Sequence, residues 1–271
     1  MKDLLQQGPT RHNRGYLFRL LGIAGLCLVL LVILILLIVR GPIAVTGPSL
    51  PDFAEITDTS ERKAAFFTFL DPFVKAADAE IQEQRARLKK VGKRVGKGHL
   101  NRRDDRWIRL VAADYKVEID PESPVESSHV TELLRRVDII PPSLALAQAA
   151  LESGWGTSRF AQQGNNLFGI WCYTPGCGIV PLQRPAGATY EVTKYESPRE
   201  SFEDYIQNLN SNRAYQALWE LRENLRADGR PVTGLDLVDG LYRYSEEGWT
   251  YVGKIQRVIR TNDLTQYDEF E

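Results

Sequence analysis

Pro141-Pro142-Ser143-Leu144-Ala145-Leu146-Ala147-Gln148-Ala149-Ala150-Leu151-Glu152-Ser153-Gly154-Trp155-Gly156 reads as a helix that carries an acid at its wrong end. Prolines pre-organise the first turn of a helix without continuing one. Four of the nine residues from Leu144 to Glu152 are alanine, the strongest helix former and slim enough for a crowded core. Gly154 then supplies a helix stop. Glu152 therefore falls in the last turn, where the helix dipole disfavours a carboxylate by a few tenths to ~1 kcal/mol. Leu151, Trp155 and Phe160 are apolar neighbours in sequence, and desolvation also favours the neutral acid. A carboxylic acid kept protonated near neutral pH is what protonates a departing glycosidic oxygen. The plainer alternative is an exposed glutamate at a frayed helix end.

Working outward, Asn165-Asn166-Leu167-Phe168-Gly169-Ile170 follows, then Tyr195-Glu196-Ser197 with Phe202-Glu203-Asp204-Tyr205. Asn212-Arg213-Ala214-Tyr215 and Tyr251-Val252-Gly253-Lys254-Ile255 come last. With the Glu152 stretch, and in this order, these runs resemble the glucosaminidase domain of glycoside hydrolase family 73, and within it the bacterial Bax-like proteins. The resemblance spans roughly Asp138 to Asn262, a little under half of the chain. It implies a lysozyme-like fold and cleavage of peptidoglycan glycan strands after N-acetylglucosamine, with Glu152 as the acid. Relatives often carry a second glutamate in the β-lobe. Here Gly178-Ile179-Val180-Pro181-Leu182-Gln183-Arg184-Pro185-Ala186-Gly187 holds no acid. The base is therefore open between Glu191, Asp204 and a route assisted by the substrate's acetamido group or by water alone.

Trp155, Phe168, Trp171, Tyr190, Tyr195, Tyr205 and Tyr244 are candidates to stack on or hydrogen-bond a sugar, although aromatics also dominate cores. Tyr244 opens Tyr244-Ser245-Glu246-Glu247-Gly248, which runs one residue longer than the family's corresponding segment. Cys172 and Cys177 bracket a Pro-Gly turn and are read as a disulfide. A zinc site is the rival, but His12, His99 and His129 are remote in sequence, and zinc takes three or four protein ligands. No cofactor or metal is expected.

The rest of the chain supplies location. Leu20 to Val39 is an uncharged run of twenty residues between Arg19 and Arg40, long enough to span a bilayer. Lys2, Arg11, Arg14 and Arg19 precede it, and no Lys or Arg follows Arg40 until Arg62. That asymmetry keeps the N-terminus in the cytoplasm and places the remainder in the periplasm of an inner-membrane protein. Residues 1–19 thus read as a cytoplasmic tail, 20–39 as the anchor, and 40–58, with Pro42, Pro48 and Pro51, as a stiff linker.

Residues 59–126 read as helices packing on the catalytic domain. Asp58-Thr59-Ser60 offer caps, and Asp71-Pro72 restarts a helix. From Arg85 to Arg103 there are nine Lys or Arg and no acid, read as a solvated face rather than a site for an anionic surface. Residues 127–262 form the glucosaminidase domain, opening on a helix capped by Ser127-Ser128, and 263–271 an acidic tail, frayed from Tyr267 to Glu271. The fold class is mainly α, a lysozyme-like (α+β) domain with a small β-hairpin lobe. A net charge of −1 argues against a nucleic-acid partner. Three other functions stay open: a lytic transglycosylase using Glu152 alone, an amidase acting on the peptide stem, and a wall-binding adaptor without activity.

Overall fold

The computed structural model describes residues 50–268. The expected tail, the span at 20–39, most of the linker and the last three residues lie outside them. Among the described residues no helix is long and apolar enough to cross a membrane.

Helix α1 (Thr59–Val95) is capped by Asp58, whose carboxylate accepts from the Glu61 N–H at 2.8 Å. It runs unbroken through Pro72, where the sequence led us to expect a restart. An interior proline costs ~3 kcal/mol. Burial on both sides of it outweighs that cost: Phe66, Phe67, Leu70, Val74 and Ala77 enter one apolar core, and Leu88 and Val91 enter a second. At 1.5 Å per residue, α1 is a spine roughly 55 Å long. Helices α2 (Arg102–Asp114) and α3 (Ser127–Arg136) close the second core against its C-terminal half. The α3 cap lies one residue before the expected Ser127-Ser128. Glu126 is the N-cap, and its N–H donates to His129 Nδ1 at 3.0 Å.

Helix α4 (Pro142–Glu152) threads the main core, and every residue from Pro142 to Ala150 is buried. The alanines make this possible, since neighbouring elements approach its backbone closely. Helix α5 (Arg159–Gly164) follows, capped by Ser158. The lobe has three antiparallel strands rather than a hairpin: β1 (Trp171–Cys172), β2 (Gly178–Ile179) and β3 (Glu191–Thr193), with β3 in the centre. Trp171 pairs with Val192, Cys172 with Glu191, and Gly178 with Thr193. Gly178 is required there, because a Cβ would lie 2.0 Å from the Val192 carbonyl oxygen. Helices α6 (Pro198–Ser211), α7 (Gln216–Ala227), the short α8 (Gly234–Leu237) and α9 (Trp249–Thr261) complete the main core.

Two further expectations are corrected. Residues 50–58, expected as part of a stiff linker, pack on the core: Leu50 and Phe53 are buried and the Phe53 ring meets Phe66 edge-on at 5.4 Å. Burying these apolar side chains against the core gains more than leaving them extended in water. Nor is the C-terminal tail frayed at its start. Asp268, ending a 3₁₀ turn (Leu264–Asp268), accepts from the Ser143 N–H at 2.8 Å and from the Ser143 hydroxyl at 2.6 Å. It also accepts from the Gly234 N–H at 3.1 Å. This carboxylate satisfies orphan donors at the start of α4, where prolines offer no side-chain cap.

Asp138 ties the approach to α4 to the rest of the molecule. Arg226 reaches both its oxygens at 3.0 and 3.2 Å, and Arg85 lies 3.4 Å away. The buried Arg222 donates to the carbonyls of Arg135, Arg136, Asp138 and Ile139. Burial lowers the Arg222 pKa to about 10. The arginines around Asp138 outweigh its own burial and hold its carboxyl below the usual carboxylate range. Arg85 therefore leaves the expected solvated face, whereas Arg94 stays exposed on it while pairing with Asp104. Lys89, Lys90, Lys93, Lys97, Arg102 and Arg103 do project into solvent.

Candidate active site

Glu152 ends α4, and its surroundings follow from how that helix stops. Ser153 turns back, its hydroxyl donating to the Ala149 carbonyl at 2.5 Å and accepting from the Gly156 N–H at 2.8 Å. Gly154, Trp155 and Gly156 all take positive φ, 58°, 60° and 75°. Glycine adopts this conformation freely, whereas Trp155 does so against steric preference. Packing holds it: the Trp155 ring meets Phe66 and Phe67 edge-on at 5.9 and 5.4 Å, and Lys63 Nζ lies 4.9 Å over it. At Gly156 a Cβ would come within 2.7 Å of Phe53. The Glu-Ser-Gly-Trp-Gly run is thus a helix stop clamped by an aromatic cluster, and it fixes where Glu152 points.

Glu152 is exposed as a residue, yet the protein around its carboxyl raises its pKa, chiefly by desolvation. The Glu247 charge raises it further, while a hydrogen bond from Tyr251 opposes the shift. That bond, Tyr251 hydroxyl to Glu152 Oε1, is 2.7 Å long. It ends a buried relay. The Tyr205 hydroxyl donates to Gln148 Oε1 at 2.5 Å, and Gln148 Nε2 donates to the Tyr251 hydroxyl at 2.8 Å. Gln148 sits one turn before Glu152 on the same helix face. Tyr244 stacks on Tyr251 with centroids 5.4 Å apart, and Tyr215 leans on Tyr244 at 6.0 Å. Burial pushes the pKa of all four tyrosines up, and the Glu152 charge adds to the shift in each. They are neutral phenols surrounding one acid.

Other sequence candidates lie elsewhere or have other partners. Glu191 accepts from the Gly176 N–H at 3.1 Å and the Gly178 N–H at 2.8 Å. These bonds lower its pKa and keep it a carboxylate that braces the Cys172–Cys177 turn. The disulfide itself is formed. Asp204, on α6, accepts from the Tyr195 hydroxyl at 2.5 Å and lines a groove with Ala77, Glu80 and Gln84. Phe168 is buried and stacks on Tyr205 at 3.9 Å, supporting the relay from behind. Trp171, 52% exposed, stacks on Tyr190 at 4.3 Å and presents a flat apolar face on the lobe. The Asn165-Asn166 pair is structural. Asn165 donates to the Tyr195 carbonyl, and buried Asn166 bridges the carbonyls of Ile170 and Thr193, holding the lobe to the core.

Residues 127–264, which contain Glu152, Gln148, Tyr205 and Tyr251, match the family model described as Glucosaminidase, mannosyl-glycoprotein endo-beta-N-acetylglucosaminidase. The chain belongs to this glucosaminidase family. It is accordingly a glycoside hydrolase. Among curated proteins it is 32% identical to Protein bax of Escherichia coli, over 75% of this chain and 70% of that one. It is 27% identical to the exo-glucosaminidase LytG of Bacillus subtilis, over 53% of this chain and 51% of LytG. Identity to the peptidoglycan hydrolase FlgJ of Vibrio parahaemolyticus is 35% over 31% of this chain and 30% of FlgJ.

Sequence reading missed Gln148, Tyr215 and Tyr251 as site residues. One signal was available for Gln148, the single polar side chain between Leu144 and Leu151. A buried amide requires partners, and four residues before Glu152 it shares that residue's face.

Proposed function

We propose that this chain is a membrane-anchored peptidoglycan N-acetylglucosaminidase that hydrolyses the β-1,4 bond after N-acetylglucosamine, with Glu152 as general acid. The observation that carries this reading is the raised pKa of Glu152, held in place by Tyr251 at the end of a helix buried from Pro142 to Ala150. In the Michaelis complex the protonated carboxyl gives its proton to the departing oxygen as the C–O bond breaks. Tyr251, anchored by Gln148, fixes the carboxyl's orientation, so little reorganisation is needed at that moment. The exposed Trp171–Tyr190 pair offers a stacking surface for a sugar ring. A peptidoglycan substrate is supported by the named activities of LytG and FlgJ. Anchoring in the inner membrane with the enzyme in the periplasm rests on the apolar run 20–39 and the positive charge before it.

Mass spectrometry of digested sacculi tests the reaction. Reducing N-acetylglucosamine ends are expected. Anhydro-muramic ends would mean a transglycosylase, and freed peptides an amidase.

A further inference from the structure

The fold carries a basic face that the Glu152 site does not use. Between Gln84 and Ala113 the only acids are Asp104 and Asp105. Both are taken, Asp104 by Arg94 and Asp105 by Arg109 at 3.2 Å. Lys89, Lys90 and Lys93 on α1, and Arg102, Arg103 and Arg106 on α2, are exposed. None of the six makes an ion pair among the described residues. Each trio has the same spacing, i, i+1 and i+4, which confines it to a stripe roughly 100° wide on its helix. The buried Leu88 and Val91 of α1, and Ile108 and Val111 of α2, lie on the opposite sides. The two stripes flank one seam, where the Arg87 guanidinium lies 4.0 Å over the Trp107 ring and Arg94 crosses to Asp104. Lys90, Arg87 and Trp107 line a groove there, together with Glu80 and Glu83.

A face tuned for solubility alone intersperses acids among its cations. Nearer its start α1 does so, with Lys75 paired to Asp71 at 2.9 Å. Like charges one turn apart repel, and on these stripes nothing offsets them. The helix dipole accommodates Lys93 in the last turn of α1, but Arg102 and Arg103 open α2, where it disfavours a cation. A local rule broken in this way points to function rather than folding. Six unpaired cations on one face of a chain with a net charge of −1 attract a polyanion. Lysine point charges and forked guanidiniums both suit carboxylates. The face has nothing to sink into a bilayer beyond Leu110, its one exposed large apolar side chain.

We propose that this face is a second docking surface for peptidoglycan, holding the carboxylates of its peptide stems. The proposal rests on the reading of peptidoglycan as the substrate, and not on the role of Glu152. The stripes belong to the second apolar core, whereas Glu152 ends the helix that threads the main one. Docking therefore adds affinity for a long strand without altering the chemistry.

The test uses the full-length chain in phosphatidylcholine nanodiscs. Wild type is compared with a variant carrying Lys89→Gln, Lys90→Gln, Lys93→Gln, Arg102→Gln, Arg103→Gln and Arg106→Gln. The substrates are glycan strands with intact peptide stems and the same strands with their carboxylates amidated. The wild-type KM should be at least ~10-fold lower on intact strands than on amidated ones, and should rise with salt. The variant should show the higher KM on both, with kcat and melting temperature unchanged. Intact strands should also shield Lys89, Lys90 and Lys93 of wild type from an amine-reactive label, read by mass spectrometry. An unchanged KM in the variant would overturn the proposal. So would shielding produced by phosphatidylglycerol in the discs and not by strands. If strands shield the lysines but are not cleaved, the reaction assigned above fails and the docking surface stands. If wild type and variant cleave intact strands alike, only the docking surface fails.

Discussion

The Tyr251 hydroxyl donates to Glu152 Oε1 at 2.7 Å, joining the last turn of α4 to the first turn of α9. The two residues are 99 positions apart in the chain, so this bond closes the site across the main core. It also sets a balance, because desolvation raises the Glu152 pKa and Tyr251 restrains the rise.

Tyr251→Phe removes that restraint. With Glu152 as the proposed acid, working in its protonated form, activity should fall as pH rises through its pKa. The variant should therefore move the alkaline limb of the kcat profile to higher pH while lowering its plateau. It should also cost ~1–3 kcal/mol of stability, since Gln148 Nε2 loses its buried acceptor. A pH–rate profile and thermal melts check both, and an unmoved alkaline limb would break the link between the two residues.

Asp78 gives a stability prediction. It is fully buried, one oxygen accepts from the Ile140 N–H at 3.1 Å, and the other has no hydrogen-bond partner among the described residues. Desolvation raises its pKa well above the ordinary value. The native state then keeps a proton that the unfolded chain releases, so stability is full below the unfolded pKa and declines as pH rises toward the folded one. Asp78→Asn keeps the acceptor without the ionisation. Its melting temperature should exceed wild type at pH 7–8, with ~2–4 °C per kcal/mol gained, and the gap should close near pH 3–4. A gap independent of pH would contradict this origin.

The Cys172–Cys177 bond closes a short loop over the lobe. On the loop-entropy model it contributes only about 2 kcal/mol. Replacing both cysteines with serine should lower the melting temperature modestly and leave the rest of the fold intact, because Glu191 still braces the turn. Alkylation without reductant, followed by intact-mass measurement, should find neither thiol free in protein matured outside the cytoplasm.

Much of the architecture was legible where one local rule governed a segment. The prolines and alanines of Pro142–Glu152 marked a buried helix, and the Pro-Gly turn between Cys172 and Cys177 marked the disulfide. What escaped depended on partners far along the chain. Pro72 reads as a break until two apolar cores are seen to hold α1 straight. Asp268 reads as tail until Ser143 and Gly234 are beside it. Trp155 and Phe168 resemble sugar platforms in sequence, but long-range packing turns them toward Phe66, Phe67 and Tyr205. At the site, Glu152 stood out because it broke a local rule. Tyr251 broke none, and its role follows only from where α9 docks.

Topology fixes where the chemistry occurs. The segment Leu20–Val39 should remain on the mature protein, with the domain from Thr59 onward outside the cytoplasm. Protease added to spheroplasts should digest that domain. Recovery of a soluble form starting near Val45 would contradict the anchor, and full protection of the domain would contradict its orientation.

The most direct measurement is of Glu152→Gln on purified sacculi, with products identified by mass spectrometry and the fold checked by thermal melting. The account predicts that wild type releases reducing N-acetylglucosamine ends. The variant should melt normally, still bind glycan, and release them at least ~10²–10⁴-fold more slowly. Near-normal release of those ends by Glu152→Gln would contradict it.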